Sequence, residues 1–105
     1  MKKEIYRQGD VMIIKVDSIP TGLEPRKRDN GKIVLAYGEV TFHTHAIKCK
    51  DALAFNSQDE IYLDLKSRTE VLHEEHNPIP LNPGFYRVIH QKEFGTEGEL
   101  VPVQD

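Results

Sequence analysis

The chain has 105 residues and a net charge of -3, with 38% hydrophobic and 30% charged side chains. Those figures describe one soluble globular domain over residues 1–105 with a modest core, and they speak against disorder. A balance so near neutrality gives no general pull toward nucleic acid or anionic lipid, and apolar runs such as Val11-Met12-Ile13-Ile14 are far too short to span a bilayer.

Met1-Lys2-Lys3-Glu4 leads into a polar stretch without the apolar core of a secretory signal. Cys49 is the sole cysteine, which excludes an intramolecular disulfide and a dithiol redox site. Both features point to a cytoplasmic protein. Lys48 and Lys50 beside Cys49 would lower a thiol pKa, but they read more simply as the solvated edge of a strand.

Taken in chain order, Tyr6-Arg7-Gln8 followed by Gly9-Asp10 forms a candidate ligand-facing loop before the first core strand, Val11 to Val16. Asp17 to Gly22, with Pro20, reads as a turn or loop, and Arg26-Lys27-Arg28 as a solvated basic cluster. Asp29-Asn30-Gly31 is a hairpin-turn signal that introduces a buried strand from Lys32 to Tyr37. Thr41 to Lys48 is expected to be a strand, with His43, His45 and Ile47 on one face and Phe42, Thr44 and Ala46 on the other.

Further strands are expected over Ala52 to Phe55, Glu60 to Leu65 and Thr69 to His73. A helical turn around Glu70 to His76 is the one departure from strand periodicity. Pro78, Pro80 and Pro83-Gly84 then break the chain before a last strand, Phe85 to Gln91, in which His90 reads as a hydrogen-bonded core or edge residue. Residues 95–105 read as a weakly ordered tail. Short strands between dense turn signals predict an all-β fold, a small antiparallel barrel or sandwich.

Four of the five histidines form two pairs. His43-Thr44-His45 places two imidazoles on one strand face, as in His-x-His chelates, and Glu39 falls on the same face if alternation is unbroken. Gly38 makes a bulge plausible in between. His73-Glu74-Glu75-His76 places imidazoles three apart, so they share a direction only on a helical turn or tight bend. Neutral imidazole suits zinc, iron and manganese, and is too soft for calcium or magnesium. The expected ligands are therefore His43, His45 and one or both of His73 and His76, around a divalent metal, zinc or iron by preference. Glu74 and Glu39 are the expected acidic members, as a general base or as partners of the ligands, with Glu75 behind them.

The order of these motifs resembles a family of small bacterial and phage proteins of unassigned function. The likeness is carried by Tyr6-Arg7-Gln8-Gly9-Asp10-Val11, by Leu35 to Thr41 with His43-Thr44-His45, by His73-Glu74-Glu75-His76-Asn77-Pro78-Ile79, and by Pro83 to Val88 leading to Gln91. The family pattern has glycine before the His-x-His where this chain has Phe42, a bulky neighbour for the proposed metal. The resemblance implies that both histidine pairs matter and supplies no activity. A second resemblance is to cupins, β-barrels that hold a metal with a His-x-His pair, a following glutamate and a later histidine. Here Glu39 precedes the pair, and no histidine follows Pro83-Gly84 at the cupin spacing.

Two functional expectations follow. One is a metal-binding β protein, extending to a metal-dependent hydrolase or an oxygen-using enzyme. The other is a non-catalytic accessory module that binds a small molecule or protein through a strand edge or a face carrying Tyr62, Tyr86 and Arg87. No nucleic acid and no membrane are expected as partners. A homodimer is compatible with so small a core.

Overall fold

The computed structural model describes residues 4–37 and 43–90. Ten strands and no helix occur among the described residues, and every pairing is antiparallel. The all-β expectation holds. Glu39, Phe42, Gln91 and the 95–105 tail lie outside the described residues.

The larger sheet grows from tight turns. Strands β1 (Ile5–Gln8) and β2 (Val11–Val16) pair with Gln8 opposite Val11, leaving only Gly9 and Asp10 in the turn. Gly9 takes φ +60°, a conformation that glycine adopts without steric cost. Strands β3 (Glu24–Pro25), β6 (Leu53–Ser57), β7 (Glu60–Leu65) and β10 (Gly84–His90) complete six strands in the order β1-β2-β10-β7-β6-β3. In β7 the expected alternation is realised: Ile61, Leu63 and Leu65 are buried, whereas Glu60, Tyr62 and Asp64 are half-buried.

Two hairpins form the opposing layer. Strands β4 (Ile33–Tyr37) and β5 (Thr44–Ile47) pair with a register shift at Leu35, and β8 (Thr69–Val71) pairs with β9 (Ile79–Leu81). Ahead of β4, Asn30 (φ 58°) and Gly31 (φ 79°) occupy a two-residue turn closed by mutual Asp29–Lys32 backbone hydrogen bonds. Positive φ at both central positions is the type I′ geometry that Asn-Gly favours. The layers enclose one core that includes Val11, Ile13, Ile47, Leu63, Val71, Leu81 and Val88. Each fully buried aliphatic side chain there contributes about 1.5–3 kcal/mol relative to exposure.

Several local expectations are corrected. Within the described residues, the strand drawn from Thr41 to Lys48 runs only from Thr44 to Ile47, and the one drawn to His73 ends at Val71. The segment Glu70 to His76 is a strand end followed by a bend, not a helical turn, because pairing with Ile79–Leu81 claims its first residues. The proposed Tyr62–Tyr86–Arg87 face does not exist as a surface. Tyr86 is fully buried, its hydroxyl donates to Asn82 O at 2.7 Å, and burial pushes its pKa up to about 12. Arg87 is paired with Glu60 at 2.6 Å.

The basic cluster is not simply solvated either. The Arg28 guanidinium donates to the carbonyls of Gly31, Cys49, Lys50 and Ala52. Arg26 donates to Val34 O and to Asn56 Oδ1. Arg28 gathers loop carbonyls and Arg26 meets the Val34 carbonyl beside the β4 register shift, and a guanidinium carries five donors in a fork.

Candidate metal centre

The two histidine pairs are brought together by backbone pairing. Ala46 and Leu72 exchange both hydrogen bonds, Ala46 N–H to Leu72 O at 3.0 Å and Leu72 N–H to Ala46 O at 2.8 Å. This single antiparallel bridge joins the β4–β5 and β8–β9 hairpins and sets the neighbours of its two residues, His45 and His73, across from one another. Their ring centroids are 4.4 Å apart. His73 also lies 4.6 Å from His76 and 5.6 Å from His43, and His45 lies 6.2 Å from His76. All four predicted imidazoles therefore share one cluster.

The bend that delivers His76 is made by His73 itself. The backbone N–H groups of Glu75 and His76 both donate to His73 Nδ1, at 3.0 and 3.3 Å. An imidazole nitrogen that accepts cannot carry the proton, so neutral His73 is protonated on Nε2. Burial, with the neighbouring His76 adding to it, holds its pKa below the ordinary value. Glu74 and Glu75 point to different partners. Glu74 Oε1 accepts the Thr44 N–H at 2.9 Å, tying the bend to β5, and this bond lowers the Glu74 pKa. Glu75 Oε2 stands 3.7 Å from His43 Nε2.

His45 is the buried centre of the cluster, 4% exposed. Its Nδ1 lies 2.8 Å from Gln8 Oε1. The amide of Gln8 has its orientation set independently, since its Nε2 donates to Val71 O at 3.1 Å and Asn77 O at 2.9 Å. The remaining amide atom is an acceptor, so His45 Nδ1 must be the donor and Nε2 carries the lone pair. Burial lowers the His45 pKa to about 4, with His73 adding to the effect and Asp10 opposing it. His45 is thus a neutral imidazole with one nitrogen available, the form that binds metals.

A further residue pair joins the cluster's rim. Asp10 Oδ1 lies 3.8 Å from His45 Nε2, and Asp10 Oδ2 lies 2.8 Å from His90 Nε2. Spacing in the chain gave Asp10 and Gln8 no such role beyond membership of a candidate loop, and His90 has the ordinary hydrogen bond expected of it, at the end of the interior strand β10. Among the described residues, no three His, Cys, Asp or Glu side chains already form a ready-made metal shell. The arrangement is a convergence of donors, not a closed polyhedron.

Comparison with known proteins places the chain by family. A model of a domain of unknown function, DUF8820, matches residues 7–91. The chain belongs to this family. The match takes in the β1–β2 turn and both histidine pairs. No curated protein and no solved structure matches the chain. Among the described residues, no helix is long and apolar enough to cross a membrane.

Proposed function

We propose that this DUF8820 protein binds a divalent transition metal, zinc or iron, between its two histidine pairs. The observation that carries the reading is the Ala46–Leu72 bridge, which gathers imidazoles from positions about thirty residues apart into ring contacts of 4.4 to 6.2 Å. Polar surface alone gives no reason for four histidines to meet, one of them buried and tied to a buried amide.

The spacing sorts the four. Two imidazoles on one zinc, each at ~2.0 Å with near-tetrahedral angles, have ring centroids about 5–6 Å apart. His45 and His76, at 6.2 Å, sit close to that separation. His73 packs at 4.4 and 4.6 Å against both, and its Nδ1 is committed to two backbone donors. The reading takes His45 and His76 as ligands on that spacing, adds His43 from its His-x-His relation to His45, and takes His73 as the ring that shapes the bend and offers an Nε2–H to whatever binds beside it. When bound, zinc supplies Lewis acidity at this rim, and iron adds redox chemistry. Glu74 holds the His43–Thr44 segment against the bend, which keeps His43 within reach. Glu39 stays in the proposal as a second acidic residue.

The test is elemental analysis of untagged protein with zinc titration followed by melting temperature. About one equivalent of metal is expected. At a hundredfold excess over Kd, zinc should stabilise the fold by about 2.7 kcal/mol, a shift of several degrees, and His43→Ala with His45→Ala should abolish both signals. Wild-type protein without metal and without a shift sinks the reading, and the non-catalytic binding module then takes its place.

A further inference from the structure

The end of β1 with the β1–β2 turn, Gln8-Gly9-Asp10, faces the histidine cluster from the opposite layer, and metal ligation by histidine alone leaves it unexplained. We infer that this turn completes the site: Gln8 is a positioning residue that presents the His45 Nε2 lone pair, and Asp10 is an oxygen ligand beside it. The inference rests on the metal-binding reading and deepens it.

Three observations carry it. Gln8 is 3% exposed and spends both amide hydrogens on the Val71 and Asn77 carbonyls, so its oxygen can only accept from His45 Nδ1. A metal-ligating histidine commonly donates its other ring N–H to an acceptor that fixes tautomer and ring direction. Gln8 has that relation to His45, and it is anchored on either side of the His73–His76 bend.

Next, His45 Nε2 and Asp10 Oδ1 are 3.8 Å apart, too far for a hydrogen bond. In the tautomer that Gln8 imposes, both atoms are lone-pair donors that face each other with no proton between them. A cation relieves that opposition. Zinc held by both at ~2.0 Å with tetrahedral geometry would set them about 3.3 Å apart, so a closure of roughly half an ångström suffices. The other Asp10 oxygen, held 2.8 Å from His90 Nε2, keeps the carboxyl turned toward the site. His90 then has a role without ligating anything.

Finally, the turn passes hard against the rings. A Cβ on Gly9 would lie 3.0 Å from His76 Nε2 and 3.4 Å from His45 Cε1, and φ is +60°. Only a glycine lets the backbone run this close to the two rings while Gln8 and Asp10 reach past on either side. The three residues make one wall.

The experiment combines nitrogen-15 NMR of the histidine rings at pH 7.5 with zinc affinity by competition with a chelator. The proteins are wild type, Gln8→Met, Asp10→Asn and, for the loss of one charge, Asp17→Asn at the far end of β2. Zinc-free wild type should show His45 protonated on Nδ1, and Gln8→Met should lose that preference. Zinc affinity should fall about tenfold or more in Gln8→Met and in Asp10→Asn, the latter with the His45 tautomer unchanged, and hold in Asp17→Asn. Asp10 is half-exposed, so its variant stays informative if Gln8→Met fails to fold. A wild-type His45 protonated on Nε2 overturns the inference, as does wild-type zinc affinity in folded Asp10→Asn. Wild type that binds no zinc at all overturns the metal reading itself, a different result from tight binding that ignores the turn.

Discussion

The two ends of the β4–β5 hairpin solve the same problem with opposite chemistry. At the Ile33–Ile47 end, the Arg28 guanidinium gathers the carbonyls of Gly31, Cys49, Lys50 and Ala52. Close by, Cys49 Sγ and Ser67 Oγ donate to Asp51, and these bonds lower the Asp51 pKa. At the Tyr37–Thr44 end, the same kind of stitching is done by Gln8, His45 and His73. Arg28 has donors only and is always charged, so its network is satisfied once its hydrogens find carbonyls. The histidine end is organised by ring nitrogens instead: Gln8 accepts from His45 Nδ1, and His73 Nδ1 accepts the Glu75 and His76 amides. One end is closed by its own bonds. The other is tied together and still presents donors.

The largest way to break this contrast is acid. His45 has a folded-state pKa near 4, below the 6.5 of an unperturbed histidine, mainly because it is buried. The unfolded chain therefore takes up a proton as pH falls through 6.5, and the folded chain resists until about 4. This stability is complete above pH 6.5, is lost between 6.5 and 4, and amounts to about 3 kcal/mol. Urea unfolding of metal-free protein across that range should show the fall, and a flat profile would mean that His45 protonates freely in the fold. Metal affinity should weaken in the same direction, since protonated imidazole cannot ligate.

A smaller effect is expected at the other end. Arg28→Ala should cost about 2 kcal/mol, because charged hydrogen bonds to several loop carbonyls are lost and water replaces only part of them. It should leave zinc affinity unchanged, and a parallel loss of zinc affinity would show that the two ends of the hairpin are coupled. The smallest effect separates the paired glutamates. Glu74→Gln keeps an oxygen for the Thr44 N–H, so it should weaken zinc binding slightly, by less than Glu74→Ala. Glu75→Gln alters the 3.7 Å approach to His43 and a minor electrostatic influence on His73, and should do less still. Calorimetric titration of the three variants gives the order, and equal losses would remove Glu74 from any positioning role.

Much of this architecture is local chemistry and is legible in the chain. Asn30-Gly31 demands a type I′ turn, and alternation in Glu60–Leu65 separates a buried face from a wet one. His43 and His45 stand out as a candidate pair through spacing alone. All of these depend on residues within a few positions of one another. The errors arise where a partner lies far off. Thr69–Val71 is claimed by Ile79–Leu81, so the expected helical turn becomes a strand end and a bend. Tyr86 looks like a surface aromatic until a second layer covers it.

The candidate site divides along the same line. Composition and spacing determined that this is a β protein with two histidine pairs whose neutral rings suit a transition metal. Tertiary structure decided that the pairs meet, because the Ala46–Leu72 bridge joins segments with no sequence relation. It decided which ring nitrogen His45 offers, because a tautomer is chosen by the acceptor opposite, here Gln8, thirty-seven residues away in the chain. It also brought in Asp10, from the far layer of the fold. Residue type sets what a side chain can donate, and spacing sets its face. Which of its atoms remains available depends on partners that only folding brings within 3 Å.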